Sequence, residues 1–104
     1  GEEYSREDHA DLQSQIYASY SKVQDIRSLS QIIGEDDLSN IDRLYLKFGS
    51  ELEDKFIAQG KDENRSINET LDLGWHILSI LPVEELDRVD KSLIDKYYDK
   101  NRER

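Results

Sequence analysis

Apolar residues recur along this chain at intervals of three and four, and nowhere alternate with polar ones long enough to predict a strand. Ser5 and Asp8 form an S-x-x-D box ahead of a first helix, whose face is lined by Leu12, Ile16, Tyr20 and Val23. Ile26, Leu29 and Ile33 make a second stripe, rotated from the first. Asp25 is placed to cap a new helix, so the pattern predicts a kink or junction near Gln24. Gly34 is the expected C-terminal cap.

Ser39 with Asp42 repeats the box, and behind it Ile41, Leu44, Tyr45, Phe48, Leu52 and Phe56 keep helical spacing until Gly60, with "KDEN" as the following loop. Ser66 with Glu69 opens a helix predicted over 67–81. One stripe on it is Ile67, Leu71, Trp75 and Leu78; the other is Leu73, Ile77 and Ile80. A helix apolar over so much of its circumference belongs at the centre of the fold. Gly74 would let a neighbouring helix approach closely. Pro82 ends this helix and suits the first turn of a last one, carrying Leu86, Val89, Leu93, Ile94 and Tyr97, with Lys96 and Lys100 toward its C-terminal end. The prediction is all-α: a compact bundle of about five helices with short connections and no internal repeat.

Length sharpens this to a single domain. A 104-residue chain buries roughly 65% of its unfolded surface, enough for one core. Only 36% of residues are hydrophobic and 37% are charged, a composition near that of disordered chains, but the periodicity argues for folding. The net charge of -10 argues against nucleic acid and anionic membrane, both of which require a basic face. The basic "KNRER" tail reads as a solvated terminus. There is no cysteine, hence no disulfide framework and no thiolate site. "WHILSILPV" is far short of the ~20 apolar residues of a membrane span. "GEEYSRED" lacks the basic start and apolar middle of a signal peptide.

"ENRSINET" contains two N-glycosylation patterns, at Asn64 and Asn68. The Ser66–Glu69 box places Asn68 and Thr70 in the first helical turns, where acceptor sites are poor, so the capping reading is preferred.

Candidate chemistry is sparse. Glu69, Asp72, His76 and Ser79 share the polar face of the central helix, and Asp72 and His76 are spaced to reach one ion. Further ligands are not evident, so the expectation is a solvated or paired stripe with no metal site. These residues lie along one helix without an oxyanion hole and cannot form a triad. His9 is expected exposed in a first helical turn. With five dispersed glycines there is no phosphate cradle, and no catalytic or cofactor-binding residue is identified. The one specific exposed feature is "GEDDLSNID". It places Glu35, Asp36 and Asp37 on a connection between helices, followed by Leu38, Ser39 and Asp42. Two readings stand: ordinary capping chemistry, or an acidic tip that meets a basic partner.

Three stretches carry a family resemblance: "SREDHADLQSQIYASYSKVQDIRSL", "IIGEDDLSNIDRLYLKF" and "FIAQGKDENRSINETLDLGWHILSILP". Over nearly its whole length the chain resembles the C-terminal helical domain of the non-catalytic B subunit of archaeal-type (A/V-type) rotary ATP synthases. The resemblance implies an upstream β-barrel and nucleotide-binding fold, with residues 1–4 as the linker and the nucleotide site outside this domain. It implies three B subunits alternating with three catalytic A subunits around a rotor shaft, on the cytoplasmic side of the membrane and without direct membrane contact. It also implies support of proton- or sodium-driven ATP synthesis by the whole complex. The family's interfacial arginine falls upstream of Gly1; Arg6 matches an arginine where the chain enters the domain, with no role assigned. "GEDDLSNID" occupies the place of the acidic rotor-facing loop of the related F-type catalytic subunit. Asp36, Asp37, Leu38, Ser39 and Asp42 match that loop, while Asn40 and Ile41 replace two of its acids. The competing expectation is a free-standing helical adaptor that takes partner helices in a groove beside Trp75.

Overall fold

The computed structural model describes residues 6–58 and 65–98. Among them there is no strand. Four helices form the bundle: α1 (His9–Ile33), α2 (Asn40–Leu52), α3 (Ile67–Leu78) and α4 (Lys91–Leu93). A wide π-type turn extends α2 over Glu53–Ala58, and another extends α4 over Ile94–Tyr98. The two N-terminal helices expected on either side of Gln24 are one, and the last helix starts later than expected.

The kink predicted near Gln24 does not exist: α1 is one unbroken helix of 25 residues. Its buried positions are Leu12, Gln15, Ser19, Val23 and Ile26, spaced three, four, four and three apart, which is one straight face. Following apolar letters alone replaces the buried Gln15 and Ser19 with the flanking Ile16 and Tyr20, and this creates a false rotation. Leu29 and Ile33 are not core either, at 39% and 40% exposed. Asp25 lies exposed in mid-helix and Asp8, buried, is the residue at the α1 N-cap position, without a capping side-chain bond. Ser5, its predicted partner, lies outside the described residues.

The predicted caps of α2 and α3 are both complete boxes. Ser39 Oγ accepts from Asp42 N and the Asp42 carboxylate from Ser39 N; Ser66 and Glu69 do the same. Thr70 Oγ1 donates to Ser66 O at 3.0 Å, so Asn68 and Thr70 sit in the first turns of α3, as the box requires. Asn64, Gly60 and the "KDEN" loop lie outside the described residues.

Two glycines set how closely the helices pack. A Cβ on Gly49 would stand 2.6 Å from Val23 Cγ1, so α2 crosses α1 in near backbone contact. A Cβ on Gly74 would stand 3.2 Å from both Leu12 Cδ2 and Ile16 Cδ1, the close approach expected of it. The core is completed by Phe48, Trp75, Leu78 and Leu81, all 0% exposed.

α3 ends three residues earlier than expected. Ile80 N bonds Ile77 O and Leu81 N bonds Leu78 O, tightening the last turn before Pro82. No helix then starts at Pro82. Val83–Glu85 is a short 3-10 turn, and Leu86 and Val89 are buried from an irregular segment. The cause is competition for backbone groups. Arg88 N donates to Gln15 Oε1 at 2.6 Å and Asp90 N to Asp11 Oδ2 at 3.0 Å, so side chains of α1 take donors that a helix would use internally. The last helix starts instead behind Asp90, whose carboxylate accepts from Ser92 N. Tyr97 and Tyr98 anchor its far end, with Tyr98 Oη donating to Leu81 O at 2.8 Å.

Candidate functional site

The six residues singled out at "GEDDLSNID" occupy one corner of the bundle, and the structure divides them by task. α1 stops at Gly34, whose φ of 88° is a left-handed conformation suited to glycine and whose N–H reaches Ser30 O at 2.9 Å. Glu35–Asp37 then make a single 3-10 turn, closed by Leu38 N to Glu35 O at 3.1 Å. Leu38 is 6% exposed and plugs the turn into the core. Ser39 and Asp42 are engaged with each other in the α2 cap. Arg43 Nη2 donates to Glu35 O at 2.9 Å and Asp36 O at 3.3 Å, holding the turn by its backbone.

The side chains of Glu35, Asp36 and Asp37 are therefore left pointing out on a fixed base. All three are exposed, and among the described residues none is in an ion pair. No basic residue occupies the last turn of α1, so that helix's negative end adds to their field while the N-terminus of α2 opposes it. Chemically, the corner can offer carboxylates to cations of a partner. Asn40 and Ile41, the two departures from the acidic pattern, lie in the first turn of α2, and Ile41 packs against the core.

The polar stripe of α3 behaves differently. Asp72 pairs with Arg6 at 2.8 Å, Glu69 belongs to the cap, and Ser79 Oγ donates to His76 O at 2.6 Å. Among the described residues no group of three or more His, Asp and Glu side chains is placed to hold a metal ion. His9 is half-buried, not exposed, and lines an apolar depression of about 160 Å³ between α1 and α3 with Leu12, Ile16, Phe56 and Leu71. Trp75 itself is 0% exposed and does not line it, although its neighbour Gly74 does.

The polar ties that hold the bundle were not foreseeable from spacing. Asp8 is 0% exposed and accepts from Trp75 Nε1 at 2.6 Å and from Arg6 Nε and Nη2 at 2.9 and 3.0 Å. Burial alone would push the Asp8 carboxyl up, but the Arg6 guanidinium and the indole N–H hold it below the usual carboxylate value. Arg6 also lies 4.6 Å over the Tyr97 ring, which stacks on Trp75 at 5.7 Å, and Glu7 bonds Lys96 and Tyr97. Arg6, for which no role was expected, thus ties the N-terminal lead-in to α3 and α4. A second tie joins α1 to the π turn after α2. The Arg27 guanidinium grips both Glu53 oxygens at 2.7 and 3.0 Å, and with Tyr20 Oη it holds that carboxyl down to about 2. The available signal was indirect: a buried indole N–H needs an acceptor, and Gln15 and Ser19 fall in register with Leu12.

Residues 1–98 match the family model described as the C-terminal domain of V and A type ATP synthase. This chain belongs to that family, on its B-subunit branch. It is 59% identical over 98 residues, 94% of its length, to the V-type ATP synthase beta chain 2 of Clostridium tetani, and 56% identical over the same span to the V-type ATP synthase beta chain of Thermotoga neapolitana. It is 52% identical over its full 104 residues to the A-type ATP synthase B subunit of Methanopyrus kandleri. The chain spans 21% of the length of the first two proteins and 10% of the third.

Proposed function

We propose that this domain is a structural and interaction module of the non-catalytic B subunit of an A/V-type rotary ATP synthase. In this reading it packs beside the catalytic A subunits in the head and faces the central rotor stalk. It performs no chemistry itself; the nucleotide site of the full subunit lies upstream, beyond a linker at residues 1–4. The whole complex carries out proton- or sodium-driven ATP synthesis, and the domain sits peripherally on the cytoplasmic side of the membrane. No helix among the described residues is long and apolar enough to cross one, which fits that position.

The observation that carries this reading is the corner at 34–42. A rigid plug and cap hold out three carboxylates that have no ion-pair partner among the described residues. Exposed, unpaired and preorganised charge favours docking of an oppositely charged surface. Carbodiimide, which joins carboxylates to amines in direct contact, tests the placement in the assembled complex containing the full-length chain. Coupling of a peptide containing Glu35, Asp36 and Asp37 to a lysine of a stalk subunit is the expected result. Coupling of that peptide to head subunits alone would overturn the assignment.

A further inference from the structure

Arg43 sits where a basic residue is locally disfavoured. In the first turn of α2, a cation stands against the positive end of the helix. Four carboxylates, those of Glu35, Asp36, Asp37 and Asp42, lie within eight positions of it and could compensate. Asp42 is engaged in the Ser39 cap, and the other three are exposed. Among the described residues Arg43 forms an ion pair with none of them. Its Nη2 donates instead to two main-chain carbonyls, Glu35 O at 2.9 Å and Asp36 O at 3.3 Å. The guanidinium thus grips the backbone of the acidic turn and leaves its side chains available.

The turn is weakly closed by its own bonds. Asp37 N reaches Gly34 O at 3.3 Å and Leu38 N reaches Glu35 O at 3.1 Å, both longer than the usual optimum. The bond from Arg43 to Glu35 O is shorter and charge-assisted. Three residues per turn spread the side chains of Glu35, Asp36 and Asp37 about 120° apart. The three charges therefore have a defined arrangement only while the turn is closed, and their mutual repulsion works to open it.

We propose that Arg43 is the positioning residue of the acidic corner: clamping the carbonyls of Glu35 and Asp36 keeps the three carboxylates in the arrangement that docks on a cluster of cations. This rests on the reading of the corner as a rotor-docking surface. Arg43 acts through the turn, and its own positive charge opposes docking on a basic surface. Position and charge consequently have opposite signs. Removing Arg43 makes the corner one charge more negative, which by charge alone tightens binding to a basic stalk. Losing the clamp weakens it.

The test uses the full-length chain carrying Arg43→Ala, assembled into the head, with and without Glu35→Gln, Asp36→Asn and Asp37→Asn in the same chain. Arg43 is exposed and lies outside the core, so the bundle folds without it. Stalk affinity is measured at low ionic strength. Alone, Arg43→Ala should weaken binding by about three- to tenfold, because an open turn must be ordered on docking. In the triple background it should change affinity by less than about 1.5-fold, since no carboxylates remain to be positioned. In the unassembled full-length chain, the amides of Asp37 and Leu38 should exchange about three- to tenfold faster, with those of 68–70 in the α3 cap unchanged.

Unchanged or tighter binding by Arg43→Ala, where the triple variant binds weakly, would overturn the proposal. So would an equal loss in both backgrounds, the mark of a general structural role, or unchanged exchange at Asp37 and Leu38. If the triple variant alone binds like the parent chain, the docking reading itself falls and the positioning role with it. That outcome involves no change at position 43, so the two failures are distinguishable.

Discussion

Replacing Asp8 with alanine probes the tie between the N-terminal lead-in and the core. In the native domain the Asp8 carboxylate is fully buried and accepts three bonds, two from Arg6 and one from Trp75 Nε1. Alanine leaves the indole N–H buried without an acceptor, a loss of about 1–3 kcal/mol. Arg6 loses its bidentate partner, but its side chain is 20% exposed and keeps Asp72 at 2.8 Å. That part should stay well below the ~3–5 kcal/mol of breaking a fully buried pair, at about 1 kcal/mol. The sum is about 2–4 kcal/mol for Asp8→Ala. The Asp8→Asn variant keeps its amide oxygen for the indole but turns an NH2 toward Arg6 Nε, losing the charge and one acceptor, so it should lose mainly the Arg6 share and cost about half as much. Trp75, the one tryptophan of the chain, reports both the site and global unfolding, so urea titrations read by its fluorescence provide the assay. Asp8→Ala within ~0.5 kcal/mol of the parent domain, at unchanged denaturant slope, would refute the reasoning.

Gly49→Ala should destabilise by about 1 kcal/mol: overpacking against the buried, rotamer-limited Val23 outweighs the ~1 kcal/mol helix-propensity gain. Gly74→Ala, whose neighbours are side-chain ends at 3.2 Å, should cost less, and thermal unfolding will rank the two. The Glu53 carboxyl is held at about 2, below its ordinary 4.5, so its stabilisation is complete above pH 4.5 and disappears as pH falls toward 2. Solvent screening at this one-third-exposed pair limits the effect to about 1 kcal/mol, and Glu53→Gln should flatten the acid limb of a stability profile by that amount. Ser66→Ala removes one half of the α3 cap and should cost about 0.5–2 kcal/mol, with faster amide exchange at 68–70.

Local signals in the sequence transferred well to the structure because they concern residues close in the chain. The boxes at Ser39 and Ser66 and the cap at Gly34 are satisfied within four residues, and their geometry needs nothing from elsewhere. Trp75, Leu71 and Leu78 were readable as core because α3 is apolar on most sides. The larger errors involve partners distant in sequence. Gln15 looks like a surface residue until it meets the backbone of Glu85 and Arg88, more than 70 positions away for the latter; with Ser19 it accounts for the absent kink, and with Asp11 for the irregular segment after Pro82. Asp8 reads as an N-terminal helix acid until Trp75 arrives 67 positions later. Leu86 and Val89 keep helical spacing while lying in a segment whose donors are claimed by α1. At the acidic corner, position and exposure were legible. The division between Leu38, Ser39 and Asp42, which build the base, and the three carboxylates that remain available needed the fold.

The salt dependence of stalk binding tests the central claim most directly. The full-length chain carrying Glu35→Gln, Asp36→Asn and Asp37→Asn together is assembled into the head, and the affinity of that head for the stalk is measured from low to physiological ionic strength. Three exposed ion pairs at ~0.2–1 kcal/mol each amount to about 0.6–3 kcal/mol, so the variant should bind roughly 3- to 150-fold more weakly at low salt and lose most of its salt dependence. The same affinity and the same salt slope as the unmodified head would contradict the account.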